Sequence, residues 1–283
     1  MPTLTIDRPQ RLTLPRPQQL SVRILEGRVD VIGADTDEVV IEVGAVGDKP
    51  FTIGDDDGVL TVHHDADWSR GPQFWLRQTQ PRFHTEISLI VPRDCPADIT
   101  VVLAEVVLSG IAAPVKVRST NKDLTLLELG AGVDAETVGG PVLARRLHGE
   151  ARLHTVSGDI TVVEAGLDRL DAASVSGAIT LDLDVATAGD LDLTTTTGDL
   201  TMRIPADSDV FADLQTTRGR LVCGFDELEQ KRTFGFKSAG GAIGAGRGRL
   251  RAQSVTGSVT LLRRDGDATG RAAGTAADHE EAD

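Results

Sequence analysis

The sequence predicts an all-β fold: a parallel β-solenoid (β-helix) of about eight coils with an N-terminal β-rich cap. The first of three supporting observations is a frame that recurs between Val115 and Leu261. It consists of two apolar residues spaced by two, a Ser or Thr, a Gly, then two more apolar residues spaced by two. Its Gly position falls at Lys122, Gly140, Gly158, Gly177, Gly198, Gly219, Gly241 and Gly257, at intervals of 18, 18, 19, 21, 21, 22 and 16 residues. The second is the period of two inside each frame, as in Ala151/Leu153 and Ile160/Val162, which places alternate side chains on one face of a strand. The third is an aromatic content of 3% with no Tyr, which suits a narrow interior filled by Val, Leu, Ile and Ala. Helix is the poorer account, because apolar spacings of three and four are absent and a Gly in every turn of the repeat would cost each helix about 1 kcal/mol.

Residues 1–95 read as an antiparallel or mixed β-cap continuous with the solenoid. Leu20, Val22 and Ile24, then Gly27, then Val29 and Val31 reproduce the frame, with alternating runs following at 39–43, 59–63 and 86–91. Asp55-Asp56-Asp57-Gly58 marks a turn between two strands. Ile99, Val101, Val106 and Leu108 form a coil without Gly, opening a repeat domain that spans 96–265.

Within the repeat, a hydroxyl stands three residues before each Gly: Ser119, Thr137, Thr155, Ser174, Thr195, Thr216, Ser238 and Ser254. None has a His or acid at a fixed offset to activate it, so the row is expected to bond to backbone near a bend. Two excursions leave the repeat, one at 66–84 and one at 225–233, the latter long enough for one or two helical turns. Residues 266–283, composed of Ala, Gly, Asp and Glu without a large apolar residue, read as a disordered acidic tail.

The net charge of −14 argues against nucleic acid, which needs clustered Lys and Arg. The segment 99–117 is unsuited to membrane insertion, because Glu105 would sit centrally at a cost of about 2.5–3.5 kcal/mol and its period is that of a strand. Residues 1–18 lack the apolar core of a secretory signal, and a cytoplasmic location is expected. Cys95 and Cys223 make no metal spacing, and neighbouring His63 and His64 point to opposite faces of a strand, so no metal or cofactor is expected.

The run from Leu153 to Val162, Leu-His-Thr-Val-Ser-Gly-Asp-Ile-Thr-Val, with echoes at 174–183 and 195–202, resembles the bacterial β-strand-repeat "putative adhesin" family of unassigned biochemical function, over roughly residues 20–262. That resemblance implies surface display or an envelope- or stress-linked role, and it brings no catalytic residues.

The strongest candidate site is the excursion, where Trp68, Arg70, Phe74, Trp75, Arg77 and Arg82 cluster outside the repeat. Trp and Arg are enriched at binding hot spots, so this segment is expected to contact a protein partner, to cover the solenoid, or both. Two other readings stand beside that of a non-catalytic binding scaffold. One is end-to-end self-association through an open last coil at Leu250–Leu261. The other is a β-helix enzyme acting on polysaccharide through outward carboxylates such as Asp159, Asp182, Asp184, Asp190, Asp192 and Asp199. No continuous acidic row follows the Gly positions, which favours the non-catalytic reading.

Overall fold

A computed structural model describes residues 3–65, 83–233 and 235–265. All its elements are strands: β1 (Leu4–Ile6), β2 (Gln10–Pro15), β3 (Gln19–Ala34), β4 (Glu38–Val46), β5 (Phe51–Asp56), β6 (Val59–His64), β7 (His84–Pro92) and β8 (Ala97–Ser109) lead into the repeat. The repeat holds β9 (Val115–Asn121), β10 (Leu124–Leu127), β11 (Val133–Gly139), β12 (Val142–Arg145), β13 (His148–Ser157), β14 (Ile160–Val163), β15 (Gly166–Ser176) and β16 (Ile179–Asp182). It continues through β17 (Asp190–Thr197), β18 (Leu200–Pro205), β19 (Val210–Arg218), β20 (Leu221–Cys223), β21 (Glu229–Thr233), β22 (Phe236–Ile243), β23 (Gly248–Thr256) and β24 (Val259–Arg264).

The windings stack in parallel along two ladders. In the first, Val115 pairs with Val133, Val133 with Ala151, Ala151 with Leu170 and Leu170 with Leu191. In the second, Leu124 pairs with Val142, Val142 with Ile160, Ile160 with Ile179 and Ile179 with Leu200. Large and small residues alternate in the interior, with Ala151 against Leu170 and Leu153 against Ala172. A short third side closes each winding. Glu128, Arg146 and Glu164 turn the chain at φ 54, 53 and 52°, and Ile111, Leu129 and Leu147 behind them are fully buried.

The Gly corner works by close approach. A Cβ on Gly158 would lie 2.1 Å from the Gly140 carbonyl oxygen, and one on Gly177 would lie 2.0 Å from that of Gly158. Corner carbonyls also accept from buried hydroxyls in some windings: Ser174 Oγ donates to Gly158 O at 3.4 Å and Thr195 Oγ1 to Gly177 O at 3.1 Å. Missing side chain and buried hydroxyl are thus two halves of one contact between successive windings.

The cap is mixed. β3 bends through both ladders and pairs in parallel with β8, while β1–β5, β2–β4, β4–β7 and β5–β6 pair antiparallel. The predicted Asp-Gly turn joins β5 to β6, with the Asp55 carboxylate accepting from Gly58 N at 3.0 Å.

Three expectations are corrected at the far end. The frame around Gly241 is not a winding: β22 runs antiparallel to β19, leaving Phe236 exposed. The charged run at 229–233 forms no helix. It is strand β21, whose five exposed residues pair with β22 and blunt the sheet edge with charge. The last winding is not an open end, because β23 lies between β17 and β19 and β24 between β18 and β20. The chain therefore inserts its final coil between two earlier ones, and Leu250, Ala252, Val259 and Leu261 are fully buried there.

Candidate functional site

Trp68, Arg70, Phe74, Trp75, Arg77 and Arg82 lie outside the described residues, as does the acidic tail. The structure does describe the strands on either side of residues 66–82. β3 pairs with β6 through Arg23 and with β7 from Glu26 onward, so it exchanges partners at Leu25. The Leu25 N–H at that changeover donates to His64 Nδ1 at 3.2 Å. With Nδ1 accepting, Nε2 carries the proton and faces Thr85 Oγ1 at 3.1 Å. The imidazole therefore bridges the end of β6 to the start of β7, the two strands that bound the excursion.

Aromatic rings complete the clamp. Phe51 meets His64 edge-on at 6.1 Å and Phe83 meets it at 5.3 Å between centroids. Gly27 allows the close approach, since a Cβ there would lie 1.9 Å from the Thr85 carbonyl oxygen. His64 is fully buried, and burial followed by the charge of His63 pushes its pKa down to about 4. His63 faces the other way and is half-buried, as alternation requires. Sequence reading weighs the pair as a metal site or as a strand end running into a polar turn; the signal it passes over is Val62-His63-His64, which places His64 in phase with the inward Leu60 and Val62.

The outward faces of the rod carry charges of both signs. Along the first ladder the register runs Asp98, Lys116, Asp134, Arg152, Asp171, Asp192, Arg251 and Asp213. Lys116 reaches Asp134 at 3.7 Å and Arg152 reaches Asp171 at 3.8 Å, beside a shallow groove of about 550 Å³. On the second ladder Asp182 accepts from Arg203 Nε at 2.8 Å and pairs with Arg264 at 2.9 Å. Hydrogen bonds from Arg145 hold the Glu164 carboxyl below its usual range.

Of the carboxylates that suggested sugar chemistry, Asp159, Asp182, Asp192 and Asp199 have structural partners. Asp159 accepts from Ala178 N at 2.8 Å and Asp199 from Ser258 N at 2.6 Å, each joining its winding to the next. Cys95 is buried and Cys223 half-buried, and burial raises both thiol pKa values. No group of three or more His, Cys, Asp or Glu suited to a metal occurs among the described residues. No helix among them is long and apolar enough to cross a membrane.

Sequence reading also missed a ridge beside the Gly corner. Val138, Val156, Val175 and Val255 are each about half exposed, because the chain bends there and the residue two before the Gly points out. An apolar residue out of phase with the period of two was the available signal.

The model of the family described as "Toastrack DUF4097" matches residues 18–262. No curated protein matches the chain. Among solved structures it is similar to a "putative adhesin" from Parabacteroides distasonis, at 13% identity over 93% of this chain and 97% of that one, with a TM-score of 0.47. A "putative adhesin" from Parabacteroides merdae is similar at 12% identity over 93% and 96%, TM-score 0.32. A "putative cell adhesion protein" from Clostridium sporogenes is similar at 8% identity over 91% and 100%, TM-score 0.26.

Proposed function

This chain belongs to the Toastrack DUF4097 family, and from that membership we propose that it is a non-catalytic β-solenoid scaffold presenting residues 66–82 to a protein partner. The observation that carries this reading is the stem. A buried imidazole, two phenylalanines and a backbone hydrogen bond clamp both ends of the excursion onto the rod. Trp68, Trp75 and the arginines of that segment are the residue types that dominate binding energy at protein interfaces. The rest of the surface offers less, since many of its charged groups pair with one another or cap backbone amides of the neighbouring winding.

The test is affinity capture from native lysate with the intact chain, a chain lacking residues 69–82, and the Trp68→Ala/Trp75→Ala double variant. Circular dichroism confirms that each remains folded. The reading expects a partner that the intact chain retains and both variants lose. Equal capture by all three, with folding intact, overturns it.

A further inference from the structure

The geometry points to a second copy of this chain as a partner, engaged by exchange of the final winding rather than by end-to-end stacking. Residues 248–264 fill a slot whose two walls, β17–β18 and β19–β20, are successive in sequence yet do not pair with each other. The insert is bonded on both sides: Arg249 N donates to Gly189 O and Gly257 N to Arg218 O, both at 2.9 Å. Ser254 Oγ donates to Gly198 O at 3.0 Å and Thr216 Oγ1 to Gly257 O at 2.7 Å.

The slot selects this segment by charge. Its walls present Asp190 and Asp192 on one side and Asp213 on the other. The insert places Arg249 beside Asp190, and Arg251 between Asp192 and Asp213. Direct closure of β17 on β19 would instead face Asp192 with Asp213, a like-charge pairing that the chain also carries at Asp171 and Asp192, and would leave residues 248–264 without both of their pairing edges. The complement of a vacated slot is therefore residues 248–264, from the same chain or from another copy.

The connection is built as a hinge. Gly244-Ala245-Gly246-Arg247 joins β22 to β23, with both glycines at left-handed φ, +67 and +69°. Asp209 latches it: its carboxylate accepts from Arg247 N at 3.1 Å and from the Arg247 guanidinium, and these bonds hold its pKa down. Extending the hinge would let each copy place its coil in the other's slot, so the closed and exchanged forms share every contact except those at the hinge.

Thr194 and Gln253 are outward register partners on β17 and β23, at a parallel-strand spacing a disulfide can bridge. Two chains, one Thr194→Cys and the other Gln253→Cys, are unfolded, mixed, refolded together across a concentration series and oxidised. The expected result is a species at twice the 30.0 kDa chain mass, joined through 194 and 253 by peptide mass mapping, increasing with concentration and further with Arg247→Ala. A single chain carrying both cysteines cross-links internally at low concentration. Failure of the mixed chains to join at any concentration, while the double variant closes internally, overturns the exchange. Failure of the double variant to close overturns the slot itself.

Discussion

Replacing Gly177 with Ala tests the contact that sets the spacing of the windings. The new Cβ would sit 2.0 Å from the Gly158 carbonyl oxygen, a backbone atom that cannot rotate away. Relief requires the two windings to part by more than an ångström at the corner. The adjacent Ile160 N–H donates to Ala178 O at 2.9 Å, so that separation carries it beyond hydrogen-bond range. Ser174 Oγ, already 3.4 Å from Gly158 O, loses its acceptor as well. A buried donor left unsatisfied costs about 1–3 kcal/mol, and forced overpacking costs about 1–3 kcal/mol more, giving a loss of about 2–6 kcal/mol. Gly132→Ala is the control, because its Cβ would lie 4.0 Å from the nearest atom, Glu150 O. Restricting the unfolded chain there should be neutral or stabilise by up to about 1 kcal/mol. Urea unfolding followed by far-ultraviolet circular dichroism measures both. Gly177→Ala unfolding at the wild-type midpoint, with unchanged slope, would refute the close-approach account of the repeat.

Two further outcomes follow from buried groups. His64 is neutral in the fold with a pKa near 4 against an ordinary 6.5, so the unfolded chain takes up its proton first as pH falls. Its contribution is complete above pH 6.5 and declines toward pH 4, a loss on the order of 3 kcal/mol; urea midpoints should fall across that window, and more shallowly in His64→Gln. The hydroxyl row should divide by partner. Thr216→Val removes the 2.7 Å bond to Gly257 O and should cost about 1–2 kcal/mol, whereas Thr155→Val, whose hydroxyl has no partner among the described residues, should cost nothing measurable by the same assay.

Much of the fold was legible because a solenoid writes its cross-section into every repeat. The inward pairs, the Gly corner and the hydroxyl behind it recur in chain order, so the pairing of Ala151 with Leu170 and of Leu153 with Ala172 could be read from spacing alone. The third side was not legible. Its corner uses Glu128, Arg146 and Glu164 at left-handed φ where a Gly would have announced the turn. The candidate site was legible only as composition: Trp68, Trp75 and their neighbours stood out by residue type, while the clamp beneath them depends on Leu25, His64 and Thr85, which are distant in sequence and meet only when β3 changes partners.

The order of the windings escaped for a different reason, and the reason is general to repeats. Leu191/Leu193, Ala212/Leu214 and Leu250/Ala252 are equivalent from inside, since any of the three can follow any other with its apolar residues in register. Periodicity therefore leaves permutations of the coils nearly degenerate in core packing. What differs between them lies outside, where Arg251 stands in register between Asp192, 3.9 Å away, and Asp213. On the second ladder Asp199 caps Ser258 N as Asp159 caps Ala178 N, and Asp182 pairs with Arg264 of the inserted winding. In this chain the apolar pattern determines the shape of a winding but not its place in the stack, to which outward charge pairs contribute about 0.2–1 kcal/mol each. The double variant Asp192→Arg/Arg251→Asp would preserve the pair between β17 and β23 while setting two carboxylates opposite each other between β23 and β19. The new arginine on β17 would also match Asp213 in the closed arrangement, so the hold on the final coil should weaken by about 1 kcal/mol. Limited proteolysis should cut that variant within 244–247 faster than the wild-type chain, and an unchanged rate would show that these charges do not help hold the final coil.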